Sequence, residues 1–397
     1  MLSEPSAAIV RATLPAVGAA IDEITAVFYR NMFAARPELL RDLFNRGNQA
    51  DGSQSRALAG AVAGFASMLV AEPDRRPDQL LARIAHKHAS LGIAPEQYPI
   101  VQRHLLAAVA EVLGDAVTPE VAAAWDEVYW LMAGALIALE ARLYAEAGVE
   151  GCDVWRPWKV VGRVEETPEV ATFMLRPADR SPAAPFLPGQ YVSVRVELPD
   201  GARQIRQYSL SCAPNGTDRW ISVKRVDGAG GAPAGEVSNR LHAQLREGDV
   251  IEISPPFGDT VLVEEDAPLL LASAGIGATP MISMLAHLAA TGSARPVTVV
   301  HADHGPGSHA FRAELRQLVA KLPEATAHVW YENPDAPWPA DRHGYADLSE
   351  LDVPAGTRAY LCGPVPFMRS VRTDLLAKGV PAARIHYETF GPDSWLP

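Results

Sequence analysis

The stretch RIAHKHASLGIAPEQY, residues 83 to 98, places two histidines two positions apart in otherwise helical surroundings. On a helix such residues point about 200° away from each other, so His86 and His88 do not share a face and do not make a two-histidine metal site. Leu81, Ile84, His88 and Leu91 follow a 3, 4, 3 spacing, which predicts His88 turned inward and His86 turned to solvent. Taken alone, His88 reads as a satisfied core histidine. Glu140 alters that reading, because Met132, Leu136, Glu140 and Leu143 run at 4, 4, 3 and set a carboxylate in an apolar helical face. Buried carboxylates are rare unless paired. A structural ion pair is one explanation. The other is an acceptor for a metal-ligating imidazole, which needs such a partner to fix its tautomer and raise its basicity. Tyr98, beyond the break at Gly92 and Pro95, is a third candidate member.

A second group of residues suits a dinucleotide. In LLLASAGIGATP, residues 269 to 280, Gly275 and Gly277 come directly after an apolar strand and are followed by Thr279 and Pro280 at a helix start. Strand, glycines and helix start together fit a close backbone approach to a dinucleotide. A plain tight turn would use the same glycines, and the third glycine of the Rossmann fingerprint is missing.

The elements that must hold these residues fall into three textures. Residues 1 to 147 are rich in alanine and leucine at spacings of three and four, which predicts an all-α domain. From Trp155, short β-branched runs such as KVVGRVEE, EVATFMLR, GQYVSVRVEL, WISVKRV and DVIEISPP alternate with Pro, Gly, Asp and Asn. They predict an antiparallel β-barrel over residues 153 to 264. Over residues 265 to 397, apolar strands (PLLLASAG, PVTVVHAD) alternate with helical patterns (TPMISMLAHLAA, AFRAELRQLVAKL), which predicts a parallel-sheet α/β domain. EAGVEGCD, with Gly148 and Gly151, is the expected first linker.

Composition narrows the partners. The 397 residues are 48% hydrophobic and 21% charged, enough for more than one core. A net charge of -12 without a Lys/Arg cluster argues against nucleic acid and anionic membranes, leaving small molecules. Cys152, Cys212 and Cys362 form no CxxC, so neither a disulfide framework, a zinc ribbon nor a covalently attached haem is expected, and the setting is read as cytoplasmic. The start MLSEPSAAIV lacks the basic and apolar runs of a signal peptide, and the longest apolar run, VYWLMAGALIAL, is too short for a span.

Residues 1 to 147 resemble the globin domain of bacterial flavohaemoglobins. KHASLGIAPEQYPIV is similar to that family's proximal segment, which implies His88 as the ligand of haem iron, with Tyr98 and Glu140 in a hydrogen-bonded network behind it. AVFYRNMF implies Tyr29 as the donor to iron-bound ligand, ELLRDLFN implies Phe44 as the residue wedged against haem, and GSQSRAL implies Gln54 and Leu58 on the distal side. The rest of the chain resembles ferredoxin-reductase-like flavoproteins. RQYSL, with Arg206, Gln207, Tyr208 and Ser209, is similar to their RxYS motif: an Arg for the pyrophosphate, a Tyr along the isoalloxazine and a Ser to the flavin. GEVSN, with Gly235, Val237 and Ser238, resembles the phosphate-side element of the same family, and Tyr191 in PGQY a further flavin contact. The GxGxTP loop of residues 275 to 280 and its companion Cys362, Gly363 and Pro364 are implied on the nicotinamide side. Glu388, Thr389, Phe390, Gly391 and Pro392 in HYETFGP are implied at the flavin, with Thr389 standing where some relatives carry cysteine.

The resemblance implies haem b, FAD and NAD(P)H as cofactors, and oxidation of nitric oxide to nitrate by O2 as the activity of a monomeric enzyme that detoxifies NO. A flavin takes a two-electron hydride and haem iron one electron at a time, so their fusion lets a nicotinamide reduce iron in two steps. Two alternatives stand beside this: an O2- or NO-binding globin without turnover, and an NAD(P)H-dependent flavin or peroxide reductase whose globin is incidental.

Overall fold

A computed structural model describes residues 1–228, 233–334, 337–339 and 342–391. The N-terminal region is helical as expected: α1 Glu4–Ala35, α2 Pro37–Asp42, α3 Arg46–Ala50, α4 Ser53–Ala71, α5 Asp78–Leu91, α6 Tyr98–Leu113 and α7 Pro119–Glu146. Pro37 and Pro119 occupy the first positions of α2 and α7, where a missing N–H removes no helical bond. Gly92 ends α5 in the left-handed region at φ +74, and a Cβ there would lie 2.6 Å from the carbonyl oxygen of Cys152. Only glycine meets both demands. Ile24, Phe28, Met32, Phe65, Leu81, Val128 and Leu136 fill the core between α1, α4, α5 and α7. By length and composition α7 could cross a membrane. Here it packs against α1, α5 and α6 and buries Trp125, Leu136 and Glu140.

The β-rich region comprises β1 Arg156–Thr167, β2 Val170–Pro177, β3 Tyr191–Glu197, β4 Arg203–Ser209, β5 Arg219–Lys224, helix α8 Glu236–Gln244 and β6 Val250–Ile253. The strands lie in the order β4-β3-β6-β1-β2-β5, and β1 pairs antiparallel with both β2 and β6. The expected barrel is not closed. Beyond β4, Leu210 bridges to Ile221 and the Ser211 N–H donates to the Trp220 carbonyl, but Pro214 then offers no N–H to continue a ladder.

The last region alternates β7 Leu269–Ala274, α9 Ala278–Thr291, β8 Val297–Asp303, α10 Arg312–Lys321, β9 Ala325–Tyr331, β10 Arg358–Cys362, α11 Val365–Ala377 and β11 Ile385–Glu388. The sheet order is β11-β10-β7-β8-β9, with parallel pairing throughout. Because β8 lies on one side of β7 and β10 on the other, the strand order reverses at β7, and a crevice opens at the carboxyl ends there. The chain divides into two compact units. One comprises residues 1–155 with 195–206, and the other residues 156–194 with 207–391. In the second, Val170 and Leu262 share a core cluster with Met281, Leu285 and Val299.

Candidate functional site

The helical unit assembles the three residues singled out by spacing. Oε1 of Glu140 lies 2.8 Å from Nδ1 of His88 and accepts a hydrogen bond of 2.6 Å from the Tyr98 hydroxyl. The Tyr98 hydroxyl is also 3.1 Å from His88 Nδ1. A carboxylate can only accept, so Nδ1 carries a proton, and in the neutral ring the lone pair is on Nε2. Burial, followed by the negative charge of Glu140, pushes the Tyr98 phenol far above its ordinary range, so it serves as a neutral donor. The backbone around Tyr98 is itself anchored: the Tyr129 hydroxyl donates to the Tyr98 carbonyl at 2.7 Å, and the Tyr144 hydroxyl to that of Ile93 at 2.9 Å.

The register of α5 differs from the sequence expectation in one respect. The fully buried row is Leu81, Ala85 and Ala89, at steps of four, while Ile84, His88 and Leu91 are half-buried beside it. Small alanines can be enclosed completely, so the alanine row is fully buried, and His88 borders it and reaches Glu140 of α7. His86 is half-buried as well, rather than turned wholly to solvent. The His88 side chain keeps 32% exposure while that of Glu140 keeps 3%, and Nε2 has no hydrogen-bond partner among the described residues. An imidazole with one nitrogen fixed as donor and the other bearing a lone pair fits a haem iron ligand.

The distal residues also gather. Tyr29 is buried on α1 and makes ring contacts with Phe28, Phe33 and Phe44, the last at 5.9 Å and edge-on. Burial raises the Tyr29 phenol well above its usual range, against a hydrogen bond with Gln54. Gln54 and Leu58 are half-buried one turn apart on α4. A neutral phenol and an amide among half-buried Phe33, Phe44 and Leu58 suit a flat apolar group that carries a polar ligand.

In the second unit the flavin-side residues line up along β3, β4 and α8. Tyr191 is buried on β3, exchanges both backbone hydrogen bonds with Phe257, and has its ring 3.3 Å from where a Cβ at Gly258 would sit. Ser209 is buried, Tyr208 half-buried, and Gln207 donates from Nε2 to the Ser193 hydroxyl at 3.0 Å. Arg206, the last residue of the helical unit's β segment, donates to its own neighbour's carbonyl at Ile205. Gly235 caps α8 without a side chain: a Cβ there would meet the Ser238 hydroxyl at 2.7 Å. That hydroxyl already donates to the Gly235 carbonyl and accepts from the Val226 N–H, so Ser238 closes the turn, while Val237 is buried beneath it.

On the nicotinamide side the two glycine motifs prove to be one structure. A Cβ at Gly277 would lie 2.4 Å from the Cys362 carbonyl oxygen and 2.8 Å from the Gly363 nitrogen. A Cβ at Gly363 would meet Ala274 at 3.0 Å. The two loops are therefore in backbone contact at the mouth of the crevice, with Gly275 at φ +54 turning the chain. Thr279 is buried and donates to the Ile276 carbonyl at 3.0 Å, Pro280 is buried on α9, and Pro364 caps α11. Cys362 pairs with Glu388 across β10 and β11, and burial, followed by the Glu388 charge, raises its thiol. Glu388 is buried, Thr389 half-buried and Phe390 exposed; Gly391 ends the described segment and Pro392 lies outside the described residues.

Sequence spacing missed a buried polar cluster at the ends of β7, β8 and β9. Ser273 Oγ lies 2.9 Å from Nδ1 of His301, whose ring stacks on His309 at 4.0 Å. His309 Nδ1 is 2.7 Å from the Tyr331 hydroxyl. Asp303 accepts from Ser308 and from the His304 N–H; burial pushes its carboxyl up, but these donors and the His301 ring 3.6 Å away together hold it low. The HADHGPGSH pattern of alternating polar residues was the available signal.

Three family profiles match the chain: Globin over residues 26–136, Oxidoreductase FAD-binding domain over 157–261 and Oxidoreductase NAD-binding domain over 271–373. It is 44% identical to a flavohemoprotein of Chromobacterium violaceum over 98% of each chain, and 42% identical to one of Rhizobium meliloti over 99% of each. Among solved structures, a flavohemoglobin from Malassezia yamatoensis with bound FAD and heme aligns with a TM-score of 0.89 at 37% identity, covering 98% of this chain and all of that one.

Proposed function

This chain belongs to the flavohemoprotein family, and from that premise we propose that it oxidises nitric oxide to nitrate with O2, using reducing equivalents from NAD(P)H. The observation that carries the reading is that the globin, FAD-binding and NAD-binding regions occur in one chain, matched end to end by flavohemoproteins. A solved FAD/NAD-binding domain of a nitric oxide dioxygenase from Vibrio cholerae is 41% identical over 60% of this chain, with a TM-score of 0.55.

Haem, when bound, supplies one-electron and O2 chemistry, and FAD supplies the exchange between a hydride and single electrons. His88 would hold haem through Nε2, because Glu140 and Tyr98 orient the ring and keep the proton on Nδ1. The Glu140 carboxylate also makes His88 a stronger electron donor than a histidine bonded to a neutral carbonyl would be. The Tyr29 hydroxyl, kept protonated by burial and oriented by Gln54, would be the donor to a bound ligand. A hydrogen bond to a group of partly anionic character contributes about 1.5–3 kcal/mol, a tenfold to hundredfold gain in retention. Tyr191, Arg206, Gln207, Tyr208, Ser209 and the first N–H groups of α8 would hold FAD. The paired loops at Gly275–Gly277 and at residues 362–364 let a dinucleotide approach the backbone at the sheet crevice.

The test is NADH or NADPH oxidation by the purified holoprotein, followed with O2 alone and with O2 plus NO. The expected result is a rate that rises with NO, with nitrate formed in step. An oxidation rate that ignores NO and yields no nitrate would leave a globin without turnover; one that also survives removal of haem would leave a plain flavin reductase.

A further inference from the structure

Gln204, on β4, lies in the 195–206 segment that packs with the helical unit, and its side chain is completely buried. A buried amide must find partners for both ends. The Gln204 Nε2 lies 3.3, 3.0 and 3.2 Å from the carbonyl oxygens of Leu40, Arg41 and Phe44, to which its two hydrogens donate. Its Oε1 accepts from the Arg46 N–H at 3.4 Å and from Arg206 at 3.3 Å. Leu40 and Arg41 lie in the last turn of α2, and Arg46 is the first residue of α3. Their carbonyls and N–H are the groups that a helix cannot satisfy for itself. One side chain therefore closes the turn at residues 43–45 from both ends. Asp42 accepts the Arg203 N–H at 3.0 Å and Arg46 pairs with Asp200 at 2.8 Å, so the same hairpin grips the turn on either side.

Phe44 is the large side chain on that turn, and its ring meets Phe33 at 5.2 Å and Tyr29 at 5.9 Å. We infer that Gln204 is a positioning residue that acts through Phe44: it holds the 43–45 turn so that the Phe44 ring stays against Tyr29. These bonds to Leu40, Arg41 and Arg46 come from a strand about 160 residues later in the chain. The consequence for haem rests on the proposed places of Phe44 and Tyr29, whereas the clamp on the turn stands independently of it.

Two measurements on the full-length protein test this. In Gln204→Leu, amide hydrogen exchange over residues 40–48 should speed up about tenfold, with residues 84–98 unchanged, because buried donors and acceptors lose their partner. Gln204→Asn, which keeps the amide but shortens its reach, should give a smaller acceleration of the same segment. Unchanged exchange over 40–48 in both variants would overturn the clamp, as would a uniform loss of protection in Gln204→Asn. The second measurement is the rate of haem loss to an excess of an apo-globin acceptor for Gln204→Leu, Phe44→Ala and the double variant. Haem loss should accelerate about tenfold in each single variant, and the double should be no faster than Phe44→Ala, the non-additivity expected of residues acting as one unit. Additive effects would show that Gln204 does not act through Phe44. A wild-type protein that retains no haem would defeat the proposed function and leave the exchange result to judge the clamp.

Discussion

His88 contributes two nitrogens with different fates: Nδ1 is fixed by Glu140 and Tyr98, and Nε2 stays without a protein partner among the described residues. Replacing it with alanine is expected to abolish stable haem binding, whereas His86→Ala should leave the Soret band in place; an absorption spectrum of each variant decides between them. The spacing on α7 made Glu140 legible, because a carboxylate in an apolar face needs a partner. Which row of α5 would be fully buried was not legible, since Ala85 and Ala89 are apolar too and only packing shows that these small residues are the enclosed ones. His309 was overlooked for a similar reason, being one polar residue in a polar loop. In the fold, burial and then the adjacent His301 hold it down to about 2. Its folded pKa is thus depressed below the unfolded value of about 6.5, so its contribution is complete above that pH and is lost as pH falls. His309→Phe is expected to flatten the decline of the urea midpoint between about pH 6.5 and 4.5, measured against wild type.

At the scale of elements, the loop after β7 and the loop after β10 form one structure, although 85 residues separate Gly277 from Cys362. Gly277→Ala would force a Cβ to within 2.4 Å of the Cys362 carbonyl. The expected outcome is a rise of at least tenfold in the KM for NAD(P)H with the haem spectrum unchanged, read by steady-state kinetics and absorbance. The strands and helices with clear periodicity, such as β3, β7 and α9, were readable from alternation or from apolar runs. β9 was not, because ATAHVWY has no apolar run and buries only its last residues, Trp330 and Tyr331, while Ala325 to Val329 are half-buried or exposed. The openness of the antiparallel sheet was equally hidden, since closure depends on whether two edge strands keep hydrogen-bonding past a proline, a matter of register rather than composition.

For the whole molecule, the fusion of a globin with a flavin- and nicotinamide-binding region sets the expected stoichiometry: purified protein should contain haem b and FAD near one to one, read from its absorption spectrum after cofactor extraction. A preparation with flavin but no haem at equal occupancy would contradict the His88 site. Composition, periodicity and short motifs were sufficient for the three textures and for singling out His88, Glu140 and Tyr98 as candidates, because burial patterns and glycine requirements are local and leave local traces. The meeting of Glu140 with His88 at 2.8 Å, the contact of Gly277 with Cys362 and the grip of Gln204 on the turn before α3 were decided by tertiary structure. Each joins residues dozens to well over a hundred positions apart, and side-chain spacing along one element says nothing about which distant backbone will supply the missing hydrogen-bond partner.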